Sequence, residues 1–212
     1  MLKENLLLDS ARPFSDEQRN IVDGHPELAL PGDLQSYSWY ALRATYSREL
    51  KIKERLDSMG VKTFVPMMWR RKETAGKTEK RLVPAVGNLC FACWTRHDLD
   101  AFIRSYGENP PVNYYWDRIA NAPLTVPEKA MEDFMKVSET MDEDLIYLTE
   151  ISAKLREGQI VRITEGLLSG VEGRVVRIRK SRRLLVEIPG MLAVASAYVP
   201  LDKAGHFEIV GQ

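Results

Sequence analysis

Residues 37–44 read YSWYALRA, and residues 47–60 read SRELKIKERLDSMG. The change of period between these two stretches decides the architecture of the first half of the chain. The first is rich in aromatic residues and reads as a strand. In the second, Ile52, Leu56 and Met59 recur at i, i+4 and i+7, the stripe a helix lays against a core. Gly60 then suits the end of that helix, because glycine accepts the backbone angles of a C-terminal cap. Beside the stripe, Arg48, Lys51 and Arg55 fall at i, i+3 and i+7 and form a basic flank. Leu50 points to the opposite side, and the pattern gives it no partner.

Working outward, 61–69 (VKTFVPMMW) and 82–94 read as strands. The stretch between them, RRKETAGKTEKR, reads as a hairpin arm turning near Ala75 and Gly76. A short helix is expected over 98–106, broken by Pro110 and Pro111, then a strand over 112–118. Pro127 suits the first turn of a helix over 128–137, with Met131, Phe134 and Met135 apolar. Strand, helix, strand, hairpin, strand, helix is an α+β pattern. The acidic stretch 138–152 reads as a linker or a short helical piece. Beyond it Val161 and Ile163, then Leu184, Val186 and Ile188, alternate with other residues between Gly and Pro. Short alternating strands of this kind suggest a small, strongly bent barrel.

The chain has 212 residues, 44% hydrophobic and 28% charged, so one or two globular domains are expected. Disordered and collagen-like classes are excluded, and two Cys cannot staple a disulfide scaffold of this length. The only apolar run near the start is Leu6 to Leu8, and no later window resembles a membrane span, so a cytoplasmic protein without membrane contact is expected. Lys and Arg total 30 against 30 Asp and Glu. By segment the balance is far from even. Residues 1–36, which lack periodicity and carry Pro13, Gly24, Pro26, Pro31 and Gly32, have three basic and seven acidic residues. Residues 37–136 have 17 against 12, residues 137–155 one against five, and residues 156–212 nine against six. An acidic extension and an acidic connector thus bracket two basic modules.

Catalytic chemistry has little to work with. His25, His97 and His206 are scattered, and no nucleophile elbow, phosphate loop, zinc-protease helix or dinucleotide fingerprint occurs. Cys90 and Cys93 form a C-x-x-C spacing with His97 close behind. On a strand, residues three apart point to opposite faces, so the two sulfurs diverge, and a structural zinc needs four ligands. A metal or redox protein is the remote alternative. The expectation is no enzyme, no catalytic residue, no metal and no cofactor. Basic residues say more. Arg70, Arg71, Lys72, Lys77, Lys80 and Arg81 sit on the hairpin arm. Arg174, Arg177, Arg179, Lys180, Arg182 and Arg183 crowd a stretch without acids. Such clusters at hairpin tips reach phosphates, while charge at strand edges also guards against edge pairing.

Specific residues resemble a known family. Val161-x-Ile163-x-x-Gly166-x-x-x-Gly170-x-x-Gly173-x-Val175 closely resembles the KOW motif, two strands joined by a glycine-dependent turn. Ser38 to Leu42, the basic helix, Phe64-Val65-Pro66-Met67, the basic hairpin and 84–91 (PAVGNLCF) resemble, in that order, the NGN domain of NusG-type transcription factors. The SWYAL start and PAVGNLCF are similar to specialised paralogs of the RfaH kind. Asn113-Tyr-Tyr-Trp-Asp-Arg with 127–134 (PEKAMEDF) resembles the UpxY group of capsular polysaccharide antiterminators.

The resemblance implies an acidic extension over 1–36, an α+β NGN domain over 37–136, a linker over 137–155 and an SH3-like KOW barrel over 156–212. It implies a non-enzymatic transcription antitermination or elongation factor that binds the clamp helices of RNA polymerase and acts on capsular or exopolysaccharide operons. A general NusG-like elongation factor or a ribosome-associated KOW protein is the nearer alternative. Val86, Leu89 and Phe91 line the implied polymerase dock, with Arg43 at its margin. Along a regular strand Val86 faces away from the other two unless a bulge intervenes. Arg48, Lys51, Arg55, Arg70, Arg71, Lys72 and Lys77 are implied near nucleic acid, in particular non-template DNA, and Gly166, Gly170 and Gly173 shape the KOW turn. The implied KOW partner is termination factor Rho or a small-subunit ribosomal protein, and the implied state is a monomer.

Overall fold

The aromatic strand 37–44 is covered on both faces, and this organises the first module. A computed structural model of the chain describes residues 36–74, 77–149, 158–178, 180–196 and 207–211. All of them fall in one compact unit. The first module holds β1 (Tyr37–Ala44), α1 (Glu49–Ser58), β2 (Lys62–Phe64), β3 (Met67–Thr74), β4 (Lys77–Pro84) and β5 (Leu89–Thr95). It continues with α2 (Arg96–Arg104), β6 (Val112–Tyr114), β7 (Trp116–Asp117), β8 (Ala122–Pro123), β9 (Thr125–Val126) and α3 (Glu128–Ser138). Its main sheet runs β2-β5-β1-β6, antiparallel, with β9 also pairing β1. β3 and β4 form a separate two-stranded arm, and β7 pairs β8.

Strand alternation sends Tyr40, Leu42 and Ala44 to one face with Cys90 and Ala92, where Ile52 and Leu56 of α1 and Leu99 and Phe102 of α2 close the core. Trp39, Ala41, Leu89 and Phe91 face the other way, toward α3.

Local departures from the sequence pattern have local causes. Helix α1 is shorter than 47–59 because Thr45–Ser47 form a 3-10 turn and Met59 is already the C-cap. The expected strand 61–69 splits at the buried Val65 and Pro66, where proline has no N–H for a ladder. Helix α2 starts earlier than residue 98 because Thr95 caps it. Its hydroxyl accepts the Asp98 N–H at 3.1 Å and donates to the Asp98 carboxylate at 2.6 Å.

The described part of the acidic connector, through residue 149, holds a strand and not a helical piece. After α3 it forms β10 (Ile146–Leu148), which pairs with the second sheet; residues 150–157 lie outside the described residues, as do 1–35. The second sheet adds β11 (Ile160–Ile163), β12 (Glu172–Ile178), β13 (Ser181–Ile188), β14 (Leu192–Ala195) and β15 (Phe207–Gly211) in the antiparallel order β10-β14-β13-β12-β11-β15. Its described pairings follow an open path from β10 to β15, with no pair closing a barrel.

One apolar cluster joins the two sheets. Met131, Phe134 and Val137 of α3 share it with Leu89 and Phe91 on one side and with Leu184, Val186 and Ile188 on the other. The Phe134 ring stands edge-on to Phe64 and Phe91, both at 6.1 Å, and to Tyr147 of β10 at 6.2 Å. Polar contacts flank it. Lys129 donates to the Asp133 carboxylate at 2.6 and 2.8 Å and to the Gly170 carbonyl at 2.8 Å. The buried Asp133 also accepts the Glu172 N–H at 3.2 Å, and Lys136 donates to the Ser169 carbonyl.

The turn that receives these lysines uses its glycines in two ways. Gly166 and Gly170 have φ of +79° and +85°, where side chains strain the backbone. Gly173 needs no unusual angle. A Cβ there would meet the Leu185 carbonyl oxygen at 2.7 Å and the Leu184 side chain at 2.9 Å, so close approach excludes anything larger.

Two stability predictions follow from this packing. Phe134→Ala removes a ring shared by both sheets and should cost about 3–5 kcal/mol, read as a lowered denaturant midpoint. Gly173→Ala should cost about 1–3 kcal/mol by overpacking and exceed Gly166→Ala, where a Cβ meets open space and only the strained φ remains, at about 1 kcal/mol. Equal losses for the two glycine variants would contradict the close-approach reading.

Candidate functional site

The apolar set comes together in an unexpected way. Leu89 and Phe91 lie on β5 and point to the same face, both with no exposure. Val86 is not on the strand at all. It sits in the turn before β5, where Asn88 adopts φ +63°, and the reversal brings Val86 back to the same apolar cluster, half-buried. Strand alternation therefore does not apply to it. Phe134 stands over Phe91, so α3 and the second sheet cover Leu89 and Phe91. Arg43, opposite Leu89 in register, is exposed. Its charge lies close enough to the Tyr115 phenol to oppose the upward shift that burial imposes there.

The basic flank divides. Arg55 is exposed, yet its guanidinium lies 4.5 Å from the Tyr106 ring centre and 5.5 Å from that of Phe102, so it packs the end of α2 as much as it offers charge. Lys51 is exposed. Arg48, exposed at the N-cap of α1, sits 5.5 Å over Tyr46. Sequence reasoning missed Tyr46, which is 85% exposed. Both Tyr46 and Ser47 have positive φ, +57° and +53°, uncommon for residues with side chains. The Ser47 N–H donates to the Asn88 side chain at 3.0 Å, and Thr45 donates N–H and hydroxyl to the Pro111 carbonyl at 2.8 and 3.1 Å. An open groove of about 600 Å³ lies beside this segment, lined by Tyr46, Arg48, Asn109 and Asn113 among others. No spacing rule marks Tyr46; only its backbone angles do.

On the arm, Arg70 faces Arg81 and Arg71 faces Lys80, while Lys72 faces Glu79. Glu143 of the connector reaches across to both members of one pair, accepting from Lys80 and, at 3.4 Å, from Arg71. These cations, Lys80 foremost, hold the Glu143 carboxyl below the usual carboxylate range. Arg81 bonds Glu79 at 3.1 Å. Arg70 and Lys72 are exposed. Lys77 lies on β4 opposite Thr74, but its side chain and the turn at Ala75 and Gly76 lie outside the described residues.

The cysteines diverge across β5. Cys90 is buried toward α1 and α2, and burial pushes its thiol up to about 12. Cys93 packs on the opposite side, in the cluster with Trp39. His97 is exposed and pairs with Asp98 at 3.3 Å. Among the described residues no three His, Cys, Asp or Glu side chains converge as a metal site, and no helix is long and apolar enough to cross a membrane. His25 and His206 lie outside the described residues.

Comparison with known proteins adds one assignment. Residues 37–135 match the family described as "NusG: Transcription termination factor nusG". No match was found among curated proteins. Among solved structures, "Domain interaction in Thermotoga maritima NusG" is similar, with 16% identity over 84% of this chain and 99% of that chain and a TM-score of 0.43. The match begins with β1 and ends within α3, enclosing the first sheet, both of its helices and the arm. The likeness to the NusG family thus rests on the first module of this chain, residues 37–135.

Proposed function

We propose that this chain is a NusG-type transcription factor that promotes elongation or antitermination by binding RNA polymerase through its first module. The NusG-family match over residues 37–135 carries this reading. The module division follows the same resemblance: a first module over 37–136, a connector over 137–155 and a KOW-type module over 156–212 that recruits Rho or a small-subunit ribosomal protein. The connector contributes β10 to the sheet of the last module. The likeness of residues 113–118 and 127–134 to the UpxY group supports action on capsular or exopolysaccharide operons, in the cytoplasm and without catalysis.

In this reading the clamp helices of the polymerase take the apolar face of the first sheet, laying an amphipathic helix into a groove. Leu89 and Phe91 are under cover, so their engagement requires α3 and the second sheet to give way. Arg43, exposed, and Val86, half-buried, are the members a partner meets first. Binding of polymerase then shifts a population between covered and open arrangements, and it can do so only by the difference in affinity for the two. Arg48 and Lys51 face the non-template strand, with Arg70 and Lys72 on the arm.

Arg43→Glu should weaken binding of the full chain to core RNA polymerase by about tenfold or more, about 1.4 kcal/mol. Its melting temperature should stay near the parent's, since Arg43 is exposed and such surface changes cost about 0.5 kcal/mol or less. Unchanged binding, or a parent protein that neither binds polymerase nor alters pausing and termination in vitro, would overturn the reading. Sequencing RNA from cells with and without the protein separates a single polysaccharide operon from a genome-wide effect.

A further inference from the structure

Like charges set directly opposite each other across a sheet repel, and the described residues contain three such basic pairs. Two lie on the arm, and each has an acid. Arg71 and Lys80 share Glu143, and Arg81 of the Arg70–Arg81 pair bonds Glu79. The third is Arg177 opposite Arg182, near the tip of the β12–β13 hairpin. Both are exposed, and neither has an acidic partner among the described residues.

The structure sorts the other basic residues of this stretch. Arg174 donates to the Gly158 carbonyl at 2.6 Å. Arg183 is buried and donates to the Asp144 and Ser196 carbonyls at 2.8 and 2.7 Å. These two are committed to the fold. Lys180 is exposed at the tip with φ +69°, a conformation for which two-residue hairpin turns ordinarily use Gly or Asn. Arg179 beside it lies outside the described residues. The tip therefore holds a repelling arginine pair and a lysine in a disfavoured conformation, none of which pairs with an acid among the described residues. Among the described residues no ion pair offsets this arrangement, and an external polyanion would.

We infer that the β12–β13 hairpin tip, through Arg177, Lys180 and Arg182, is a binding site for the phosphodiester backbone of a nucleic acid strand. Two guanidinium groups side by side suit phosphate oxygens, which each can engage with paired N–H donors. The site reads backbone charge and not base sequence. It is separate from the basic residues of the first module and does not depend on the polymerase reading.

The test measures binding of the full-length protein to labelled single-stranded RNA, single-stranded DNA and duplex DNA of one length, by fluorescence anisotropy across a salt series. A double variant, Arg177→Gln with Arg182→Gln, is compared with a control pair that removes the same charge elsewhere, Lys62→Gln with Arg118→Gln. Two lost phosphate contacts should lower the slope of log affinity against log salt by about 1.4 for a single strand or about 1.8 for duplex, and the control should keep the parent slope. The polymer bound most tightly by the parent names the source of the phosphates. The double variant should melt at or above the parent temperature, because a repelling pair is gone, and should keep its affinity for polymerase. A parent that binds none of the three polymers, or a double variant whose salt slope equals the parent's or the control's, would overturn the inference. Neither result bears on Arg43 or the polymerase dock.

Discussion

Phe134 is the residue on which the rest of the arrangement depends. Helix α3 is too short to stand alone in water, since isolated helices below about 12–15 residues are marginal. It persists because it buries side chains on two sides at once. One ring touches Phe64 and Phe91 of the first sheet and Tyr147 of the strand that opens the second. This shared core explains why Leu89 and Phe91 are fully covered, and why residues 146–148 of the connector lie against the second sheet. Tyr147 must reach Phe134, so β10 is drawn onto β14, and Glu143 is carried to the middle of the arm.

That last placement changes how the charge pattern is understood. Opposed blocks of acid and base along the sequence suggest basic surfaces kept for nucleic acid. Part of the opposition is spent inside the molecule. Glu143, from the most acidic stretch of the connector, sits between Arg71 and Lys80. Arg162 is held by Glu172 and Glu208. Such exposed pairs contribute little stability each, about 0–1 kcal/mol, but they decide which cations remain available. Arg70, Lys72, Arg177, Lys180 and Arg182 remain; Arg71, Lys80 and Arg162 do not.

Elements with strong periodicity were legible in the sequence, and those set by a single distant contact were not. The bounds of β1 and nearly those of α3 follow from aromatic alternation and from Pro127 with the Met131, Phe134 stripe. The start of α2 lies ahead of the expected residue 98, and its signal is local: Thr95 and Asp98 form a capping pair three residues apart. β10 has no such signal; its short apolar run is fixed by pairing to a strand far away in sequence. Of the candidate site, the convergence of Leu89 and Phe91 was readable from alternation. Val86 escapes the alternation rule because it sits in the turn before β5 and not on the strand. Gly173 lies on β12 and answers to the close approach of Leu184 and Leu185, which cannot be seen in a linear spacing.

The distribution of hydrogen bonds along α3 says which seam is the weaker one. Besides the Lys129–Asp133 pair within the helix, Lys129, Asp133 and Lys136 each bond the second sheet or its glycine turn. Among the described residues no hydrogen bond joins α3 to β1, β2, β5 or β6, where the contact is apolar only. Hydrogen bonds depend on direction and distance, so they resist small displacements that an apolar contact absorbs. A partner helix competing for Leu89 and Phe91 would offer the first sheet the same apolar burial that α3 gives it. It could not replace the bonds between α3 and the second sheet. If the cover opens, α3 should therefore leave with the second sheet as one body, and not stay behind on the first.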